Sequence, residues 1–151
     1  MQTKILTFKT KKFFDVYNIT SDVQKFLDEV KAKDGLVNVF TQHTTVAIKI
    51  NEWEAGILSD MRRVLFGKIA DPAEYYQHND LEKRDPATIC PKSGGKDCLN
   101  GHSHIGQMIL GSTSETIPVK DGKLQLGTWQ QILMFELDHA RERELVLSFL
   151  D

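Results

Sequence analysis

Between Leu36 and Ile50 β-branched residues crowd together, and Val46, Ile48 and Ile50 alternate against Thr45, Ala47 and Lys49. A period of two is the mark of a half-buried strand, and two strands meeting near His43 are expected here. On either side the period changes. Upstream, Val23, Phe26, Leu27 and Val30 recur at helical spacing behind the N-cap candidates Thr20, Ser21 and Asp22. Gln24 lies three residues after Ser21, as in a capping box, and a helix over 21–33 is predicted, stopped near Gly35. Downstream, Ile57, Leu58, Met61, Val64 and Leu65 predict a second helix, entered at Asn51 and Glu52 and ending near Gly67. Strands set between two amphipathic helices confine the chain to mixed architectures.

The flanks agree with this. Residues 4–17 mix Thr, Phe, Ile, Val and Tyr with lysines, which suits an edge strand or two strand pieces. Residues 71–101 are poor in apolar side chains and carry Asp71-Pro72, Asp85-Pro86, Cys90-Pro91 and Gly94-Gly95, so a long loop is expected, of the kind that serves as a functional lid or stays disordered. A short helix is compatible with 102–110. Strand-like runs at 113–119, 123–137 and 143–150 follow, and Asp121-Gly122 is a hairpin turn signal. The reading is an α+β fold, with mostly antiparallel sheet and two to three helices, in one domain over 1–151. At 151 residues one hydrophobic core is enough.

Charge narrows the partners. The 19 basic and 21 acidic residues are intermixed and leave a formal net charge of −2, so no basic field is available for nucleic acid. No apolar run approaches the roughly 18–20 residues that cross a bilayer, and Met1-Gln2-Thr3-Lys4 lacks the apolar stretch of a signal peptide. Neither membrane nor nucleic acid is expected as a partner, and a cytoplasmic address is. Cys90 and Cys98 are then read as thiols, although an oxidising compartment would allow a disulfide. Together with His102 and His104 they are also chemically suited to a structural zinc site, but their spacing is irregular.

The chemistry-bearing residues centre on five histidines: His43, His78, His102, His104 and His139. Imidazole binds borderline metals and titrates near neutrality, so each is a candidate ligand or acid/base group. His43 and Thr44 stand at a strand junction, and Asn51 and Glu52 follow at the end of the next strand, a polar cluster costly to bury without partners. Asp60 borders the apolar face of the second helix, where its carboxylate either reaches inward or is solvated. His102 and His104 are two apart, so on a helix they diverge and one of them faces the site. Glu136 in an apolar run and Arg141 and Arg143 just beyond it suit either a structural ion pair or a phosphate clamp.

The ordered set His43-Thr-Thr-Val-Ala-Ile-Lys-Ile-Asn51-Glu52, Asp60-Met61, His78, Asn100-Gly-His-Ser-His104, Gly111 and Leu126-Gly-Thr-Trp-Gln130 resembles the YjbQ-like family, the secondary thiamine-phosphate synthases. The resemblance implies a compact α+β fold, a homotrimer, and a polar pocket with a divalent metal, zinc or magnesium. By position it makes His43, His78 and His104 the metal ligands or acid/base groups. It places Asn51, Glu52, Asp60, Gly101 and Arg141 in the pocket, and Thr44, Trp129, Gln130 and Glu136 beside it. Two departures stand out: a long insertion over about 80–99, and Asp138-His139-Ala140-Arg141 where many relatives carry Gly-Pro before the arginine.

The implied reaction couples a pyrimidine diphosphate to a thiazole phosphate with release of pyrophosphate, Arg141 contacting phosphate and Asp60 or Glu52 orienting the site. Metal-assisted hydrolysis of a small phosphorylated metabolite would use the same imidazoles. A trimeric module that binds a metal or phosphometabolite without turnover is the non-enzyme alternative.

Overall fold

The computed structural model describes residues 1–89 and 99–151. Cys90 and Cys98, and with them the disulfide and structural-zinc readings, lie outside the described residues. Among the described residues eight strands form two antiparallel sheets. The larger has the order β1-β8-β3-β5-β6, from Gln2–Lys9 (β1), Glu142–Leu150 (β8), Gly35–Thr41 (β3), Ser114–Lys120 (β5) and Lys123–Leu124 (β6). The smaller has the order β2-β7-β4, from Asp15–Asn18 (β2), Gln131–Glu136 (β7) and Val46–Asn51 (β4). Among the described residues three α-helices accompany them: α1 (Thr20–Glu29), α2 (Ala55–Val64) and α3 (Gly101–Leu110). This is the α+β class the periodicities predict.

The sheets face each other across the main core. Val37, Val39, Ile117, Leu145 and Leu147 of the larger sheet meet Val46, Ile48, Ile132 and Met134 of the smaller, and Ile19, Val23, Phe26 and Leu27 of the α1 segment close one side. A second core lies on the opposite face of the smaller sheet. There Ala47, Leu133, Phe135 and Leu137 pack with Phe14, Leu65, Phe66 and Ala70, and with Leu58, Met61 and Leu110 from the two helices. The domain thus has three layers: large sheet, small sheet, helices. Its middle strand β7 is apolar on both faces, which explains the unbroken run Ile132-Leu133-Met134-Phe135 where strands with one wet face alternate.

Several boundaries differ from the sequence expectations, each for a local reason. α1 ends at Glu29, not near 33, because Lys31 turns left-handed at φ +53° and the Ala32 amide closes back on the Leu27 carbonyl. The Ser21–Gln24 capping box does not form. Gln24 instead donates to the Gly122 carbonyl at 2.8 Å and accepts the Leu124 amide at 3.2 Å, tying α1 to the β5–β6 hairpin. That hairpin turns on Asp121 and Gly122 as predicted, with both residues at positive φ. α2 is entered at Glu54, whose carboxylate accepts the amides of Gly56 and Ile57. Asn51 is still paired with Gln131 in β4, so Asn51 and Glu52 do not open that helix. The expected strand over 123–137 splits into β6 and β7 around a turn in which the Gln130 side chain accepts the Gly127 amide at 2.8 Å.

One buried ion pair joins the two sheets. Glu136, at the end of β7 and fully buried, meets Arg143 of β8 through Nε–Oε2 and Nη2–Oε1 contacts, the latter at 2.7 Å. The Thr10 hydroxyl and the Asp138 amide also reach that carboxylate, at 3.1 and 3.0 Å, and Arg143 donates to the Thr45 hydroxyl at 3.0 Å. Removing one partner from a buried pair strands the other charge. Glu136→Ala is expected to lower the unfolding free energy by about 3–5 kcal/mol, whereas Glu136→Met combined with Arg143→Met costs much less; equilibrium urea denaturation of the two variants measures the difference.

Candidate functional site

The polar residues collect where β4 begins and β7 ends. Leu137 and Asp138 follow directly on β7, both buried. The Asp138 carboxylate accepts four hydrogen bonds: from Asn100 Nδ2 at 2.7 Å, from the His139 amide at 2.9 Å, from His139 Nδ1 at 3.0 Å and from Arg141 Nη2 at 3.0 Å. Burial alone would push this carboxyl up. The Asn100 amide, the His139 backbone N–H and the nearby His139 and Arg141 outweigh it and hold the group below the usual carboxylate range.

Asn100 is the residue that opens α3, and its side chain links Asp138 to a histidine. Its Oδ1 lies 3.1 Å from His78 Nε2. His78 sits in a single 3₁₀ turn, Gln77–Asn79, anchored because Asn79 Oδ1 accepts the Gly101 amide at 2.9 Å. One turn into α3, His104 brings its ring to 4.5 Å from that of His78, centre to centre. Arg84 folds back over this turn, its Nη1 donating to the His78 carbonyl at 3.0 Å and its Nη2 to the Thr88 carbonyl at 2.6 Å. Both imidazoles are held below the ordinary histidine range, His78 by burial and then Arg84, His104 by burial and then His78 itself.

His102 turns away, as the two-residue spacing predicts for a helix. Its ring packs edge-on against Phe13 and Phe66 and beside Tyr76, and burial lowers its pKa. Gly101 has a packing reason to lack a side chain, since an added Cβ would fall 2.5 Å from the Tyr76 Cβ.

His43 lies at the same end but in a separate place. It follows β3, with its backbone amide on the Thr41 hydroxyl and its Nε2 accepting the Glu144 amide at 3.1 Å. Burial, then Arg143, lowers its pKa. Thr44 beside it is exposed. Of the three implied metal ligands the structure therefore joins His78 with His104, and among the described residues no group of three or more His, Cys, Asp or Glu side chains is arranged to hold an ion. Glu136 is committed to Arg143, and Arg141 is drawn to Asp138.

The remaining predicted residues fall elsewhere. Asn51 pairs with Gln131 while Val46 pairs with Glu136, so the Asn51 end of the small sheet is about 17 Å from the histidine end at roughly 3.4 Å per residue. Asn51 and Glu52 line a largely apolar cavity of about 270 Å³ beneath α2, with Ile57, Leu58, Met61, Leu65, Leu133 and Phe135. Trp129 and Gln130 sit in the turn before β7, where Trp129 is 72% exposed. Asp60 is solvated on the outer face of α2 and pairs with Arg63 at 2.8 Å, so the inward reading of that carboxylate does not hold within this chain.

Asn100, Asp138 and Arg84 are functional-looking residues that the sequence reading passed over. Asn100 stood inside a quoted motif, and Asp138 inside a departure from it. Nothing local in the sequence signals that residues 38 apart meet.

A three-layer α+β domain with a histidine pair backed by a buried carboxylate at one end of its small sheet is the class this geometry defines. The chain belongs to the family described as UPF0047 protein YjbQ-like, which matches residues 4–151. A UPF0047 protein of Archaeoglobus fulgidus is 36% identical over 145 residues, covering 96% of this chain and 98% of the relative. One from Methanothermobacter thermautotrophicus is 35% identical, covering 97% and 90%. Among solved structures, a hypothetical protein of Aeropyrum pernix K1 superposes with a TM-score of 0.83 at 33% identity, covering 99% of this chain and 98% of that one. A YbjQ-like protein of Sulfolobus solfataricus P2 gives 0.81 at 28%, covering 98% and 95%. Among the described residues no helix is long and apolar enough to cross a membrane.

The shared direction of the histidine shifts has a measurable consequence. Unfolded histidine titrates near 6.5, and His43, His78, His102 and His104 titrate lower when folded, each mainly through burial. Below about pH 6.5 the unfolded chain takes up these protons first. Stability is accordingly full above that pH and is lost as pH falls toward the folded values. Urea midpoints measured across this range should decline with acidification, and His102→Leu, which keeps an apolar group among the rings, should flatten the decline.

Proposed function

We propose that this chain is an enzyme acting on a small phosphorylated metabolite at the His78–His104 end of the small sheet. The observation that carries the reading is the pair of imidazoles 4.5 Å apart, with Arg84 and Asn100 both on His78 and the Asp138–Arg141 pair behind Asn100. Imidazole lone pairs and guanidinium groups brought to one place suit a ligand rich in anionic oxygen. The reaction we assign is the one the family resemblance implies: a pyrimidine diphosphate loses pyrophosphate as its carbon–oxygen bond breaks, and the carbon is joined to a thiazole phosphate. The site residues would neutralise charge growing on the departing oxygens.

The donor set fits a borderline divalent metal such as zinc better than magnesium. Two imidazole nitrogens are the available donors, whereas magnesium seeks oxygens and Asp138 already accepts four hydrogen bonds. His78 and His104 would hold such an ion, which would act as a Lewis acid on phosphoryl oxygen. Water attacking phosphorus instead, with the P–O bond broken and inorganic phosphate released, would make the same site a phosphohydrolase.

We further propose a homotrimer as the working form. Asn51, Glu52, Trp129 and Gln130 lie too far from the histidines to share a ligand within one chain. A head-to-tail ring, closed by three copies, brings the two ends of neighbouring sheets together. Exposed apolar residues on the helical layer, Met108 at 73%, Ile109 at 51% and Ile69 at 50%, suit such a contact.

Incubation with the two phosphorylated substrates, followed by product analysis, should yield coupled thiamine phosphate and pyrophosphate, with at least a hundredfold loss in the His78→Ala, His104→Ala double variant, on the order of one removed catalytic group. Free inorganic phosphate in place of the coupled product would favour the hydrolase, and ligand binding without any product would leave a binding module. Sedimentation equilibrium should return three times the chain mass, and Met108→Lys should lower it.

A further inference from the structure

Two of the site histidines are bonded to groups whose hydrogen-bonding roles are chemically fixed. A backbone N–H only donates, and a carboxylate or carbonyl oxygen only accepts. The Glu144 amide lies 3.1 Å from His43 Nε2, so this nitrogen must hold a lone pair, and in the neutral ring the proton sits on Nδ1. The bond has a topological cause. β3 stops at Thr41, opposite Leu145, and the next position along β8 has no strand partner on that side, so the imidazole takes its place.

At His78 the logic runs the other way. Asp138 accepts, so the Asn100 atom 2.7 Å from it is the amide nitrogen, and Asn100 Oδ1 is thereby turned to His78 Nε2 at 3.1 Å. An amide oxygen cannot donate. The proton of neutral His78 is on Nε2, and Nδ1 holds the lone pair. Arg84 Nη1, 3.4 Å from the same ring nitrogen, makes its shorter bond of 3.0 Å to the His78 carbonyl and does not reverse this assignment.

We propose that the two histidines are locked in opposite tautomers and serve opposite roles, His78 offering a lone pair at Nδ1 and His43 offering an N–H at Nδ1, with Asn100 and Asp138 as the positioning residues that commit His78. His43 thereby leaves the set of metal ligands, because its Nδ1 carries a proton where a ligand would need a lone pair. His78, next to His104, takes up a proton or coordinates a metal. The assignment deepens the reading of this end of the sheet as the site and rests on it for the ligand class, while the tautomers rest on the hydrogen bonds alone.

Long-range proton–nitrogen correlation spectra of metal-free protein labelled with ¹⁵N-histidine, recorded above the imidazole titration range, test this. His43→Gln and His78→Gln spectra assign the two rings by their missing signals. The expected result is an Nδ1–H pattern for His43 and an Nε2–H pattern for His78, with Asn100→Leu moving His78 toward a tautomer mixture and leaving His43 unchanged. An Nε2–H pattern for His43, an Nδ1–H pattern for His78, or a His78 pattern unaffected by Asn100→Leu would overturn the proposal. The parent spectrum decides the His43 half once the His43→Gln spectrum has identified its signals, so a poorly folded Asn100→Leu variant does not shelter it. The measurement needs neither turnover nor metal; a failed activity assay counts against the proposed reaction, and the spectrum judges the tautomers.

Discussion

A carboxylate and a guanidinium with almost no access to water, Glu136 and Arg143, set the geometry at one end of this domain. Such a pair is tolerable only if its remaining polar atoms are met, and the partners that meet them are Thr10, Thr45 and the Asp138 amide. Satisfying the pair therefore fixes where the chain leaves β7. Two residues later Asp138 arrives with its carboxylate already aimed, and through Asn100 it turns the His78 ring. The orientation of the His78 ring is thus inherited from an ion pair in the interior, by way of the Asp138 and Asn100 side chains.

The two ends of the small sheet differ in chemistry. Its histidine end is built of ionic and hydrogen-bonding side chains, and its other end borders an apolar cavity with Asn51 and Glu52 in the wall. A phosphorylated heterocycle has the same two-part character, an anionic head and a ring of low polarity. Within one chain the two halves are separated by the full length of β4, and that separation is the reason for proposing a trimer.

Much of this architecture was readable from the residues. Alternation at Val46, Ile48 and Ile50 marked β4, helical spacing marked α1 and α2, and Asp121-Gly122 marked the hairpin, because each signal is local. The errors arose where a polar side chain had a distant alternative. Gln24 serves the β5–β6 hairpin instead of its own helix, and Asn51 stays in its strand while Glu54 caps α2. In the site, spacing sufficed to turn His102 from His104, since helical geometry decides it. Asn100 and Asp138 escaped notice because their significance lies in meeting each other. Asp60 was drawn in by its place at the edge of an apolar face, and the Arg63 guanidinium keeps it in solvent.

The placement of β7 and β8 also constrains how the chain is made. β1 pairs only with β8, β2 only with β7, and β4 finds its ladder partner in β7, so the first fifty residues contain three strands whose partners are encoded after residue 130. During synthesis these segments leave the ribosome long before their mates exist, with apolar faces that nothing yet covers. Closing such distant pairs is slow in entropic terms. Neither sheet can therefore be completed before residues 131–150 are made, and among the described residues the strands available until then pair only as β3, β5 and β6.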